Sequence, residues 1–159
     1  MSSIWIVLAV RCLLVALFLP FSALDKILNA RQAVEQCRQT IPSRSLATVL
    51  IVLGFGIEVT MSLAILTGVF DRLAAVILAG YCLLTALLWK PFWKAPDFRL
   101  RGPSAGREVF WDFLKNFALA GGFLLLAFGS DAAGVRRFWA HPLASSRPYA
   151  ASTDTGARL

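Results

Sequence analysis

Four apolar runs, each long enough to cross a bilayer, leave this chain few folds to choose from. They lie at about 4–24, 46–70, 73–89 and 113–129. A helix rises about 1.5 Å per residue and bilayer hydrocarbon is about 30 Å thick, so about 20 apolar residues make one crossing. Backbone N–H and C=O groups meet no water at that depth, and a helix satisfies them within a single segment. The runs predict an all-α integral membrane four-helix bundle over residues 1–129 and a polar tail over 130–159. With 58% hydrophobic and 16% charged residues, a soluble domain of this length would be unable to cover its apolar surface.

The first run starts MSSIW, without a basic leader, and stays apolar beyond the core of a signal peptide, so it reads as a retained helix. Pro20 is placed to kink or shorten it. The stretch DKILNARQAVEQCRQTIPSRS then carries Ile27, Leu28, Ala30, Val34 and Cys37 at helical spacing. That pattern predicts a short amphipathic interfacial helix ending near Pro42. Asp71-Arg72 reads as a tight turn, which makes spans two and three antiparallel neighbours. Lys90–Asp112 reads as a charged connection, with span four starting at Phe113 or near Val109. Beyond His141 the Ser, Ala, Pro and Arg content predicts a frayed tail. Small residues at Ala64/Gly68, Ala75/Ala79 and Ala118/Gly122 would let helices approach closely.

Net charge is +7, yet the basic residues cluster between and after the apolar runs, where lipid headgroups receive them. No basic stripe is interleaved with exposed aromatics, and nucleic acid is not an expected partner. Four crossings put both termini on one side. Eight Lys and Arg in the two long connections, against five on the terminal side, place the termini on the non-cytoplasmic side of a bacterial inner membrane. Cys12, Cys37 and Cys82 form no CxxC, and His141 has no partner at ligand spacing. No metal site and no intrinsic cofactor are therefore expected; a bound quinone or lipid is the ligand such a bundle would hold.

The charges near or inside the runs are the candidate functional residues. Glu58 stands near the middle of the second run, and Arg11 lies inside the first. A carboxylate at that depth is costly unless it faces a partner or a polar cavity. Helical rise puts Arg11 about 11 Å and Glu58 about 18 Å from the same face, within reach of an arginine side chain if the helices touch. The expectation is a buried Arg11–Glu58 ion pair, either a staple between helices or a proton site. A second group gathers near the opposite face: Asp25, Lys26, Lys90, Asp112, Lys115 and Asn116, with Trp89, Trp93 and Trp111 among the rings around them. These residues form either an ordinary interfacial belt or a polar vestibule for the head of an amphiphile.

The order of these features resembles the DoxX family of small bacterial membrane proteins. The matching pieces are Arg11 in span one, FSALDKI at its end with Lys26, Glu58 in a glycine-containing span two, TGVFDRLAA between spans two and three, KPFW after span three and FLKNFALAGGFLLLAFG in span four. The resemblance covers about Val10 to Gly129. It implies a four-helix membrane bundle linked with membrane redox systems, since relatives form part of a thiosulfate:quinone oxidoreductase. A histidine often found near the end of span three is replaced by Trp89-Lys90, and lysine is no proton shuttle near neutral pH without a large shift.

Three readings stay open at this stage. One is a redox-associated subunit contacting quinone or quinol beside a separate electron-carrying partner, with Glu58 as proton acceptor and Lys26, Lys115 and Asn116 orienting the head. Another is an accessory or structural subunit of a larger respiratory complex. The third is a small amphiphile transporter, which a broken helix would favour.

Overall fold

A computed structural model describes residues 2–150. The chain is all α-helical, with no strand among the described residues: α1 (Ser2–Val15), α2 (Ala23–Leu28), α3 (Ala30–Arg38), α4 (Arg44–Thr67), α5 (Asp71–Trp89), α6 (Ala105–Phe128) and α7 (Ala132–Ala140). Four stretches are long and apolar enough to cross a membrane: Ser3–Leu28, Arg44–Thr67, Asp71–Lys94 and Ala105–Phe128. Neighbours in sequence pack side by side, α4 on α5 and α5 on α6, and α1 closes the bundle against α4 and α6. Val15, Phe18, Ile65, Leu78 and Phe123 fill its centre. Apolar side chains turned outward, such as Leu13, Val52 and Leu125, stay exposed, as a lipid-facing surface requires.

Span one is broken rather than continuous. Between α1 and α2 the segment Leu17–Ser22 widens, and Leu19 leaves helical geometry altogether (φ −120°, ψ 103°). Pro20, inside this segment, has no N–H to give an i→i−4 bond, and its ring crowds the preceding turn. The chain past the break is redirected. That single irregularity decides where Lys26 goes.

Several boundaries depart from the sequence expectation. Asp71 is not a turn residue; it opens α5 and is fully buried. The turn is supplied by Gly68, Val69 and Phe70, with Gly68 at φ 78° ending α4. A left-handed backbone favours glycine there. α6 starts eight residues before Phe113, at Ala105, because Ser104 caps it and Asp97 reaches its first N–H groups. On α6 Ala120 and Ala127 are buried and Gly122 lets α1 approach, since a Cβ there would stand 2.9 Å from Leu14, while Ala118 is exposed. Ala75 and Ala79 are buried against the neighbouring helices as expected.

The tail departs most. After α7 the chain returns across the terminal face. Ser145 Oγ donates to the Gly68 carbonyl, Ser146 N donates to Asp71 Oδ1 at 2.9 Å, and the Tyr149 hydroxyl donates to the Leu66 carbonyl. A Cβ on Gly68 would stand 2.9 Å from the Pro148 ring. Residues 142–150 are thus a docked strap, not a frayed end; the expectation for 151–159 lies outside the described residues. Its composition suggested disorder, but its serines and tyrosine find polar partners at the α4–α5 turn.

Candidate functional site: a lysine–glutamate–tyrosine triad beside a cavity

Glu58 sits midway along α4 on the face turned to the bundle and is 2% exposed. The expected partner is not the one it has. Lys26 Nζ donates to both of its oxygens, at 2.8 and 2.9 Å, and the Tyr81 hydroxyl donates to Oε1 at 2.7 Å. Lys26 also donates to Ser22 Oγ at 2.6 Å, one turn back. Past the break in span one, α2 holds its lysine at the level of Glu58, midway along α4. Four hydrogen bonds within this group satisfy a charge pair that would otherwise be prohibitive in hydrocarbon.

Arg11 serves a different carboxylate. Its Nη2 lies 2.7 Å from Asp71 Oδ2, and its Nη1 donates to the Ile65 carbonyl. Nη2 also donates to Ser146 Oγ, which in turn donates to Asp71, and the Tyr149 ring lies beside the guanidinium. Ile65 is seven residues past Glu58, about 10 Å along the helix axis, so Arg11 meets the carboxylate at its own level instead of Glu58. The expected Arg11–Glu58 pair is replaced by two separate pairs at two depths. Arg11–Asp71 clamps α1 to the α4–α5 turn and holds the strap, while Lys26–Glu58 ties α2 to α4.

Beside the triad lies a cavity of ≈ 440 Å³ between α4 and α5, roofed by α3. Lys26 and Tyr81 bound it, Leu50, Ile51, Leu84 and Leu88 give apolar walls, and Asp25, Gln36, Trp89 and Lys90 are polar or aromatic lining. Gly54, one turn before Glu58, leaves the room in which Tyr81 reaches the carboxylate; a Cβ there would stand 3.0 Å from the hydroxyl. Cys37 lines the cavity from the buried underside of α3, and burial pushes its thiol pKa up.

The vestibule foreseen from sequence is divided. Asp25, Lys26, Lys90 and Trp89 line the cavity. Asp112, Lys115 and Asn116 do not; they sit on α6, where Asp112 accepts from Lys90 at 3.0 Å and from Lys115 at 3.2 Å, and Asn116 Nδ2 donates to the Asp112 carbonyl at 2.9 Å. Lys115 is largely exposed. Trp93 packs edge-on against Phe92 and Phe113, and Trp111 beside Phe110. Both tryptophans are about half exposed, as in an interfacial belt. Asp97, in the loop before α6, accepts from the Ala105 and Gly106 N–H groups, which hold its carboxyl below the usual range.

Tyr81 and Gly54 were not foreseen. The glycine one turn from Glu58 was a usable signal, since it leaves one side of the carboxylate open. The tyrosine, in the middle of an apolar span, carried the same hint of a buried polar partner.

Fold and site define a multi-pass membrane protein of four spans, in contact with lipid on its outer surface, with a charged triad buried between its helices. The chain belongs to the DoxX family, whose sequence profile matches residues 6–91, from span one through the end of span three. No curated protein and no solved structure matches it.

Proposed function

We propose that the chain is a redox-associated membrane subunit that receives the head of a quinone or quinol at the Lys26–Glu58–Tyr81 triad and works with a separate electron-carrying partner in a bacterial inner membrane. The observation that carries this reading is that Lys26 and Tyr81, both bonded to Glu58, line an apolar-walled cavity large enough for a ring. The electrostatics favour a neutral head. Lys26 is already paired with Glu58, so it offers no free charge to an anion. A quinone oxygen would accept from Lys26, and a quinol hydroxyl would donate to Glu58. Oxidation of the quinol releases two electrons and two protons; the electrons pass to the partner subunit, Glu58 accepts one proton from the hydroxyl it holds, and the proton of the other hydroxyl passes to water.

The test is binding of a short-tailed ubiquinone analogue to the protein in nanodiscs. Micromolar binding is expected, weakened by roughly tenfold or more in Lys26→Met and in Glu58→Gln, since a hydrogen bond to a charged group contributes about 1.5–3 kcal/mol. Absence of binding, or binding indifferent to both substitutions, would refute the reading and favour an accessory structural role. The break at Leu19 supports a second reading, a small amphiphile carrier, because discontinuous helices mark the sites of many transporters.

A further inference from the structure

The charges that line the cavity are not all paired. Lys26 is committed to Glu58, and Lys90 to Asp112. Asp25 lines the mouth, is exposed, and accepts only from the Asn29 side-chain amide at 2.7 Å, with no cationic partner among the described residues. Asp25 is thus the one charged group lining the cavity that has no ionic partner among the described residues. Two aromatic side chains, Tyr81 and Trp89, also line it, and ring faces attract cations most where water is excluded.

Glu58 adds to this. Its one cationic partner among the described residues is Lys26, carried on a six-residue helix just past the break at Leu19. The ammonium is thus a counter-ion on a short segment separated from α1 by irregular backbone. A buried carboxylate needs a cation but does not specify which one.

We infer that the cavity takes an amphiphilic organic cation, an apolar body carrying one delocalised or alkylated positive charge, which replaces Lys26 at Glu58. Leu50, Ile51, Leu84 and Leu88 would receive the body, and Asp25 would attract the charge at the mouth. Lys26 swings out as the ligand enters, so the protein's own lysine competes with the ligand. This goes beyond quinone binding and shares with it only the premise that the cavity holds ligands. The two make opposite demands on Lys26: a quinone uses it as a donor, whereas a cation must displace it.

Methyltriphenylphosphonium is a suitable probe, with triphenylphosphine oxide as its neutral counterpart, both measured by equilibrium dialysis against nanodiscs of phosphatidylcholine and against empty discs. Lys26→Met should bind the cation about tenfold or more tighter than the unaltered protein, because it removes the internal competitor from a buried carboxylate. Glu58→Gln should lose binding, and Lys26→Arg, which keeps a competitor, should gain nothing. A measurement on the unaltered protein guards against misfolding of the variants: saturating cation should raise acetylation of Lys26 severalfold, read by mass spectrometry, and the neutral probe should not. Lys26→Met binding no tighter than the unaltered protein, or an acetylation rate unmoved by the cation, overturns the inference. Loss of quinone binding with cation binding intact would overturn the proposed function alone, and the reverse pattern this inference alone.

Discussion

Replacing Arg11 by methionine asks which carboxylate the arginine serves. In the structure it holds Asp71 at 2.7 Å, with both side chains nearly or wholly buried. Removing the cation leaves Asp71 with the Ser146 N–H and hydroxyl as its only donors among the described residues. A buried pair broken from one side typically costs about 3–5 kcal/mol, most of it the penalty of the charge left behind. Arg11→Met should therefore destabilise strongly, and Asp71→Asn added to it should restore much of the loss. The double-mutant cycle should return a coupling of about 1–3 kcal/mol between positions 11 and 71. Glu58 lies seven residues from the Ile65 carbonyl that Arg11 holds, about 10 Å along α4, so Arg11→Met and Glu58→Gln should add to within about 0.5 kcal/mol. Reversible unfolding in mixed dodecyl sulfate micelles gives all the required free energies. A larger coupling of Arg11 to Glu58 than to Asp71 would refute the two-pair arrangement, and with it the position assigned to Lys26.

Three further outcomes are expected. Gly54→Val should push the Tyr81 hydroxyl off Glu58, since even a Cβ there stands 3.0 Å away, and should weaken binding of the ubiquinone analogue more than it lowers the unfolding midpoint. Ser146→Ala should cost about 1–3 kcal/mol in the micelle assay, because Asp71 loses a donor and Arg11 an acceptor while both stay buried. Asp97 carries the pH dependence of the loop before α6. Its carboxyl is held below the ordinary value of 3.8 by the Ala105 and Gly106 N–H groups, so its support for the start of α6 is present above that value and fades as pH falls through the lowered one. Hydrogen exchange at Ala105 and Gly106 should therefore be slow at pH 6 and faster in Asp97→Asn at the same pH; equal rates would show that the carboxylate does not cap the helix.

The four crossings were legible because they rest on hydropathy summed over about twenty residues, a signal no single contact can overturn. The pairing of charges was not. Depth along a helix follows from counting, and it placed Arg11 and Glu58 within reach of each other. Which face a side chain occupies, and whether a span stays straight, do not follow from counting. Pro20 was visible as a source of distortion, yet nothing local stated that the redirected chain would deliver Lys26 to Glu58. Asp71 was misread because an acidic residue after TGVF resembles a loop tip; its burial depends on Arg11 and Ser146, 60 and 75 positions away. The strap was hidden for the same reason. Its composition is that of a loose end, and only the folded α4–α5 turn gives its serines something to hold.

The clamp at the terminal face joins three parts of the chain that leave the ribosome far apart in time. Arg11 enters the bilayer with α1, its carboxylate arrives 60 residues later, and the serine that bridges them comes 135 residues after the arginine. Throughout that interval a guanidinium waits in or beside lipid without its final neighbours. The clamp thus closes only after the strap that follows the fourth span has arrived, and a cargo inserted directly behind Tyr149 would interfere with that closure.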